Sequence, residues 1–199
     1  MAPVGCELIV VGCSWGGLAA VTRVLASLPG DLDAAMVVAQ HRGPGRSALA
    51  SLLSRQSPWA VAEAEDKQPI VSRQVYLAPG GYHLLVERGH LALSTEGPVH
   101  HSRPSIDVLF ESAADAYRDA VVGVVLTGAN EDGAAGLMRI VERGGRAVVQ
   151  DPASAERAEM PRAALATGID AAVLPLDEIG PFLGRLCQMP RVRSAGAAR

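Results

Sequence analysis

The sequence predicts an α/β protein: a doubly wound, mainly parallel sheet of about seven strands flanked by helices, with an antiparallel hairpin at one edge. Three observations lead there. Short β-rich runs alternate with amphipathic segments along the chain, the pattern of a parallel sheet with crossover helices. Several runs, such as Leu8-Ile9-Val10-Val11 and Val121-Val122-Gly123-Val124-Val125, are apolar almost throughout, as strands covered on both faces are. Between them, apolar residues recur at helical spacing.

The candidate strands, in order, are 7–12, 35–40, 60–65, 74–78, 121–127, 146–150 and 171–175. After the first, Leu18, Val21, Leu25 and Leu28 fall on one helical stripe; Leu49, Leu52 and Leu53 make a shorter one after the second. Ile106, Leu109, Phe110, Ala113 and Tyr117 form a third stripe. Leu137, Ile140 and Val141 form a fourth, closed by Gly144-Gly145, and Ile179, Phe182, Leu183 and Leu186 form the last. The alternation breaks at 83–94, where two short runs flank Arg88-Gly89 and read as a β-hairpin.

The 199 residues suit one domain, expected over 1–189, followed by a flexible basic tail over 190–199. Aromatic residues are only 4%, so Val, Leu, Ile and Ala must build the core. A net charge of -3 gives no reason to expect nucleic-acid binding, which rests on neutralising phosphates. No apolar stretch approaches the roughly 20 residues that span a bilayer, so no membrane insertion is expected. The N-terminus lacks the basic start of a signal peptide. Three scattered cysteines, Cys6, Cys13 and Cys187, read as reduced thiols of a cytoplasmic protein.

In an open parallel sheet, ligands bind beyond the carboxyl ends of the strands. Ser14 follows the first strand, in Gly12-Cys13-Ser14-Trp15-Gly16-Gly17, and His41 follows the second. Asp132 lies after the fifth, and Gln150 ends the sixth. Singly, each has an ordinary reading. Ser14 in a glycine turn fits an anion contact, a lone histidine a structural role, and Asp132 a helix N-cap. Together they supply what serine chemistry requires: a nucleophile, a base and an acid that fixes the base. Gly16 and Gly17 leave room for a substrate carbonyl, and the Trp15 N–H could hold an oxyanion. Cys13, pointing opposite to Ser14, is expected in the core. Arg42, Arg46 and Arg103 are candidates for steering an acidic partner, and His100-His101 reads as a solvated loop rather than a metal pair. No metal or organic cofactor is expected. The alternatives are a phosphate- or nucleotide-binding module and an adaptor that docks without turnover.

Val10-Val11-Gly12-Cys13-Ser14-Trp15-Gly16-Gly17 resembles the start of the catalytic domain of CheB-type protein-glutamate methylesterases. The resemblance continues through Val38-Ala39-Gln40-His41, Tyr76-Leu77-Ala78-Pro79-Gly80-Gly81-Tyr82-His83 and Arg103-Pro104-Ser105-Ile106-Asp107. It runs on through Leu126-Thr127-Gly128 to Asp132-Gly133, Gln150-Asp151-Pro152 and Met160-Pro161, covering about residues 7–186. It implies Ser14 as nucleophile, His41 as general base and acid, and Asp132 as the residue that orients His41. Trp15, Gly16, Gly17, Ala129 and His83 are implied as oxyanion or substrate-lining positions. The implied activity is hydrolysis of glutamyl γ-methyl esters on chemoreceptor helices, with deamidation of receptor glutamines as an associated activity. Two departures stand out. Trp15 occupies a position that is commonly threonine in that family, and the receiver domain that precedes this one in its best-known members is not expected here. Regulation would then fall to a separate protein.

Overall fold

The computed structural model describes residues 5–45 and 48–189. In chain order the elements are β1 (Leu8–Cys13), α1 (Gly17–Ala26), β2 (Ala35–Gln40), α2 (Leu49–Ser54), β3 (Ala60–Glu63) and β4 (Gln74–Leu77). They continue with β5 (His83–Glu87), β6 (His90–Ser94), α3 (Ile106–Tyr117), β7 (Val121–Val125) and α4 (Ala134–Glu142). The last are β8 (Arg146–Gln150), α5 (Glu159–Ala166), β9 (Ala171–Leu174) and α6 (Leu176–Gln188). Seven strands form a parallel sheet in the order β3-β4-β2-β1-β7-β8-β9. The chain leaves β1 toward one edge and returns to β7 on its other side. The topological switch therefore lies between β1 and β7, where such sheets bind ligands.

Alternation along the strands sorts the core into two layers. Leu8 and Val10 of β1 face a cluster built with Leu109 and Phe110 of α3 and Leu137 and Ile140 of α4. Ile9, Val11 and Cys13 face the opposite cluster with Val21 and Leu25 of α1 and Leu183 of α6. Gly12 is the exception that lets a helix come close. A Cβ there would collide with Ile106, the first residue of α3. Its absence brings the N-terminus of α3 down onto the end of β1.

Three expectations change. The hairpin β5–β6 exists, but as a separate two-stranded antiparallel sheet rather than an edge of the main one. Its buried residues Leu84, Val86 and Leu91 pack in the cluster with α3, and the Val86 N–H donates to Ser112 Oγ at 3.1 Å. Its alternating burial suits a cover over a helix. Helix α5 was not expected; of its eight residues only Met160, Pro161 and Ala164 are buried, too few to mark a stripe. The strand expected over 121–127 stops at Val125, and Thr127 turns its N–H to Gln150 Oε1 at 2.9 Å.

The expectation of three reduced thiols also fails, and with it the cysteine argument for a cytoplasmic location. Cys6 and Cys187 form a disulfide across a sequence separation of 181. The segment before β1 and the last turn of α6 meet at the amino ends of the strands, with Cα atoms 4.6 Å apart. Separation in sequence conceals this meeting. Only Cys13 is a free thiol among the described residues. The tail at 190–199, and Arg46, lie outside the described residues. The Cys6→Ser/Cys187→Ser protein is expected to lose about 2–5 kcal/mol of stability relative to the oxidised protein, as removal of a native bridge typically costs. Denaturant titration measures this, and equal midpoints would refute it.

Candidate active site

Strand register assembles the rim. Cys13 pairs with Gln40, so the next residues, Ser14 and His41, leave neighbouring strand ends together. The His41 N–H donates to the Cys13 carbonyl at 3.1 Å, and the Ser14 N–H donates to the Thr127 carbonyl at 3.0 Å. Ser14 is thus held between the end of β2 and the end of β7. On its β7 side stands Gly128, where an added Cβ would come within 3.0 Å of the Ser14 Cβ and collide with Met160.

Asp132, fully buried, lies in the loop between β7 and α4. His41 Nε2 donates to its Oδ2 at 2.7 Å. The same carboxylate closes the N-terminus of α3. Oδ2 accepts the Ile106 N–H at 2.7 Å, and Oδ1 accepts the Asp107 N–H and the Ser105 hydroxyl, each at 2.9 Å. Burial pushes the Asp132 carboxyl upward, but the bonds from His41, Ile106 and Asp107 outweigh it and hold it below the ordinary carboxylate value. It therefore stays ionised, at a helix N-terminus that favours an anion. Asp107 mirrors it. From α3, its Oδ1 accepts the Gly133 N–H at 2.9 Å and the Gly136 N–H at 2.7 Å, at the start of α4. Each helix is capped by an aspartate that the other helix, or its lead-in, supplies.

With Nε2 committed to Asp132, Nδ1 is the nitrogen of His41 left to exchange a proton. Asn130 Nδ2 stands 3.3 Å from it, and Asn130 Oδ1 accepts the Asp132 N–H at 3.3 Å. Ser14 Oγ makes no hydrogen bond to His41 among the described residues. The backbone N–H groups of Trp15, Gly16 and Ala129 meet no acceptor among the described residues, so three donors lie open around Ser14. Asn130 carried no sequence signal: one asparagine in a polar loop looks like any other.

Other expected residues are placed elsewhere. His83 is buried and spends both ring nitrogens on backbone, with Nε2 2.9 Å from the Gly97 carbonyl and Nδ1 accepting the Ser105 N–H at 3.2 Å. It pins the loop that leads into α3 and lines no substrate space. Gly17 is likewise structural. Its N–H donates to the Ser14 carbonyl at 2.9 Å, and a Cβ there would press on Cys13 Sγ. Cys13 is buried, and burial pushes its thiol up to about 12, which removes it as a nucleophile. Arg42 is taken up by Glu63, at 2.6 Å, and the Ala78 carbonyl. Arg103 binds the carbonyls of Thr95 and Glu96 at 2.8 Å each. Arg42 is thereby paired with an acid, whereas the carbonyls that hold Arg103 leave its charge uncompensated. The exposed arginines near this rim are Arg157 and Arg162.

His100 is not simply solvated: its Nε2 lies 3.3 Å from Asp107 Oδ2. Donor atoms of His100, Asp107 and Asp132 all lie within 4.8 Å of one another. The Asp132 oxygens, however, already accept four hydrogen bonds, which leaves them no lone pair for a cation. A cleft of about 640 Å³ opens beside Ala129 and Asn130, with Arg162 and Ala163 of α5 on its far wall.

A doubly wound α/β domain with serine, histidine and aspartate on adjoining loops at its switch point is the class defined by fold and rim. Within that class, the sequence profile of the CheB methylesterase family matches residues 9–183, and the chain belongs to this family. A Leptospira interrogans protein provisionally named protein-glutamate methylesterase/protein-glutamine glutaminase is 46% identical over 185 residues, covering 92% of this chain and 95% of that protein. A protein-glutamate methylesterase/protein-glutamine glutaminase of Symbiobacterium thermophilum is 39% identical, over 90% of this chain and 50% of its own length. The chain thus spans about half of some relatives and nearly all of others. The crystal structure of the Thermotoga maritima CheB methylesterase catalytic domain superposes with a TM-score of 0.87 at 31% identity, covering 92% of this chain and all of that one.

Burial beside Asp132 raises the Asp107 carboxyl from 3.8 to about 6, against the pull of the Gly136 and Gly133 amides and of His100. A carboxyl raised on folding binds its proton more tightly in the folded chain, so its contribution to stability falls as pH rises from 3.8 to about 6. Asp107→Asn keeps an acceptor oxygen but cannot ionise. Relative to that variant, the protein is expected to be more stable at pH 4 than at pH 7 by thermal melting; an offset independent of pH would refute it.

Proposed function

We propose that this chain is a serine hydrolase that removes the methyl group from glutamyl γ-methyl esters of a chemoreceptor, releasing methanol, with Ser14, His41 and Asp132 as its catalytic residues. The observation that carries this is the 2.7 Å bond between His41 and the buried Asp132 carboxylate, set beside Ser14 at the switch point. The relatives named above support the substrate class. No described helix is long and apolar enough to cross a membrane.

In the resting site Asn130 occupies His41 Nδ1, so the reaction begins when Ser14 takes its place. The Ser14 hydroxyl proton passes to Nδ1 as Oγ attacks the γ-carbonyl carbon. The N–H groups of Trp15, Gly16 and Ala129, which meet no acceptor among the described residues, receive the oxyanion. Collapse expels the methoxy group, which takes the proton from Nδ1 and leaves as methanol. Water then gives a proton to Nδ1 as it attacks the glutamyl-enzyme, and Nδ1 returns that proton to Ser14 Oγ as the glutamate leaves. Throughout, the Nε2 proton stays on its bond to Asp132, which stabilises the imidazolium. A glutamine side chain fits the same steps with ammonia as the leaving group. A phosphate-binding module is not favoured, because the buried His41–Asp132 pair has no part in holding an anion.

Ser14→Ala is expected to abolish methanol release from methylated receptor, and Asp132→Asn to cut turnover by about 10³–10⁴-fold. Full activity in the Ser14→Ala protein would sink the proposal. Asn130→Ala removes the amide beside Nδ1 and the acceptor of the Asp132 N–H. Its kcat for methanol release is expected to fall about 10-fold, and an unchanged kcat would place Asn130 outside the reaction.

A further inference from the structure

The residue after Ser14 is a tryptophan that is 60% exposed yet firmly held. Its Nε1–H donates to Glu156 Oε1 at 2.8 Å. The Arg157 guanidinium lies 5.6 Å from the ring centroid, and the Trp15 carbonyl accepts the Thr127 hydroxyl at 2.9 Å. Arg157 is itself anchored. Its N–H donates to Thr127 Oγ1 at 2.9 Å, and its carbonyl accepts the Gly128 N–H at 3.0 Å. The loop before α5 is therefore fastened to the strand end beside Ser14, and it delivers two side chains to one indole. The other tryptophan shows what a structural role looks like in this protein. Trp59 is 3% exposed and gives its Nε1–H to the Pro29 carbonyl.

A large aromatic surface that is left in water but fixed in orientation has the character of a recognition anchor, since its ordering cost is met before a partner arrives. Its place decides what it meets. Consecutive Cα atoms are about 3.8 Å apart, so Trp15 is next to the residue that a substrate carbonyl must reach, and its exposed ring is offered to the segment that carries it. Charge does not select here: on the loop and α5, exposed Glu156 and Glu159 are matched by exposed Arg157 and Arg162. What remains distinctive is the apolar face.

We infer that Trp15 is the specificity-determining residue of this site: its clamped indole is a platform for an apolar side chain that flanks the γ-methyl glutamate. The inference rests on the proposed methylesterase function. It is tested in the Ser14→Ala protein, which binds without turnover. The probe is a synthetic peptide carrying one γ-methyl glutamate and a leucine one helical turn away. Binding is expected to shift the tryptophan emission to the blue as Trp15 leaves water. Adding Trp15→Ala is expected to weaken Kd about 10-fold, and Glu156→Ala, which frees the indole, about 3-fold. Replacing the peptide leucine with serine should cost about 10-fold against Trp15 but little more against the Trp15→Ala protein, because one contact is removed twice. In the active protein, Trp15→Ala should raise KM for the peptide more than it changes kcat. An unshifted emission, or the two losses adding in full, overturns the platform. Hydrolysis of p-nitrophenyl acetate without any release of methanol from the peptide would overturn the methylesterase reading itself; methanol release with a Kd indifferent to Trp15 would overturn the platform alone.

Discussion

The carboxylate of Asp132 carries more of this structure than its size suggests. Four hydrogen bonds converge on it, one from the His41 ring and three from the start of α3. Hydrogen bonds to a charged group contribute about 1.5–3 kcal/mol each, and a buried charge that lost them would be expensive. The same interaction therefore orients the imidazole and fixes where α3 begins. Asp107 returns the arrangement to α4, so the two helices on this face are locked at their N-termini as a pair. Such coupling holds the carboxylate in place: Asp132 cannot shift without releasing a helix end.

The glycines around this lock make it geometrically possible. Gly12 admits Ile106 of α3 to β1, and at Gly136 a Cβ would meet Phe110 and the Asp107 backbone. Close approach at these two points seats α3 against β1 and α4, where Asp132 bonds the start of α3 and Asp107 the start of α4. Gly133, with φ at +99°, turns the chain from Asp132 into α4 in a conformation that a side chain would strain.

Much of this was legible in the sequence, because strands in a parallel sheet end on one side and Ser14, His41 and Asp132 each follow one. The ordinary reading of Asp132 as a helix cap was also right in kind, yet it caps α3 and not the helix it precedes. Sequence spacing cannot disclose which helix end folds against a loop 25 residues away. For the same reason Asn130, the Glu156–Arg157 clamp and the bridge from Cys6 to Cys187 were invisible: each depends on a meeting between distant segments. His83 sits in a motif that pointed to the rim, but both ring nitrogens are spent on backbone. Helix α5 escaped because its buried face is only Met160, Pro161 and Ala164, too short a set to mark a periodic apolar stripe.

The disulfide also fixes the geometry of traffic around the molecule. Near it, Arg146, at the start of β8, donates to the carbonyls of Gly5 and Leu186. Both chain ends of the described domain thus leave from one pole, at the amino ends of the strands. The rim that bears Ser14, His41 and Asp132 occupies the other pole, at their carboxyl ends. A long polypeptide substrate can lie across that rim without crossing the enzyme's own backbone as it enters or leaves the domain. Anything tethered at residue 5 or 189 would have to reach around the sheet to shade it.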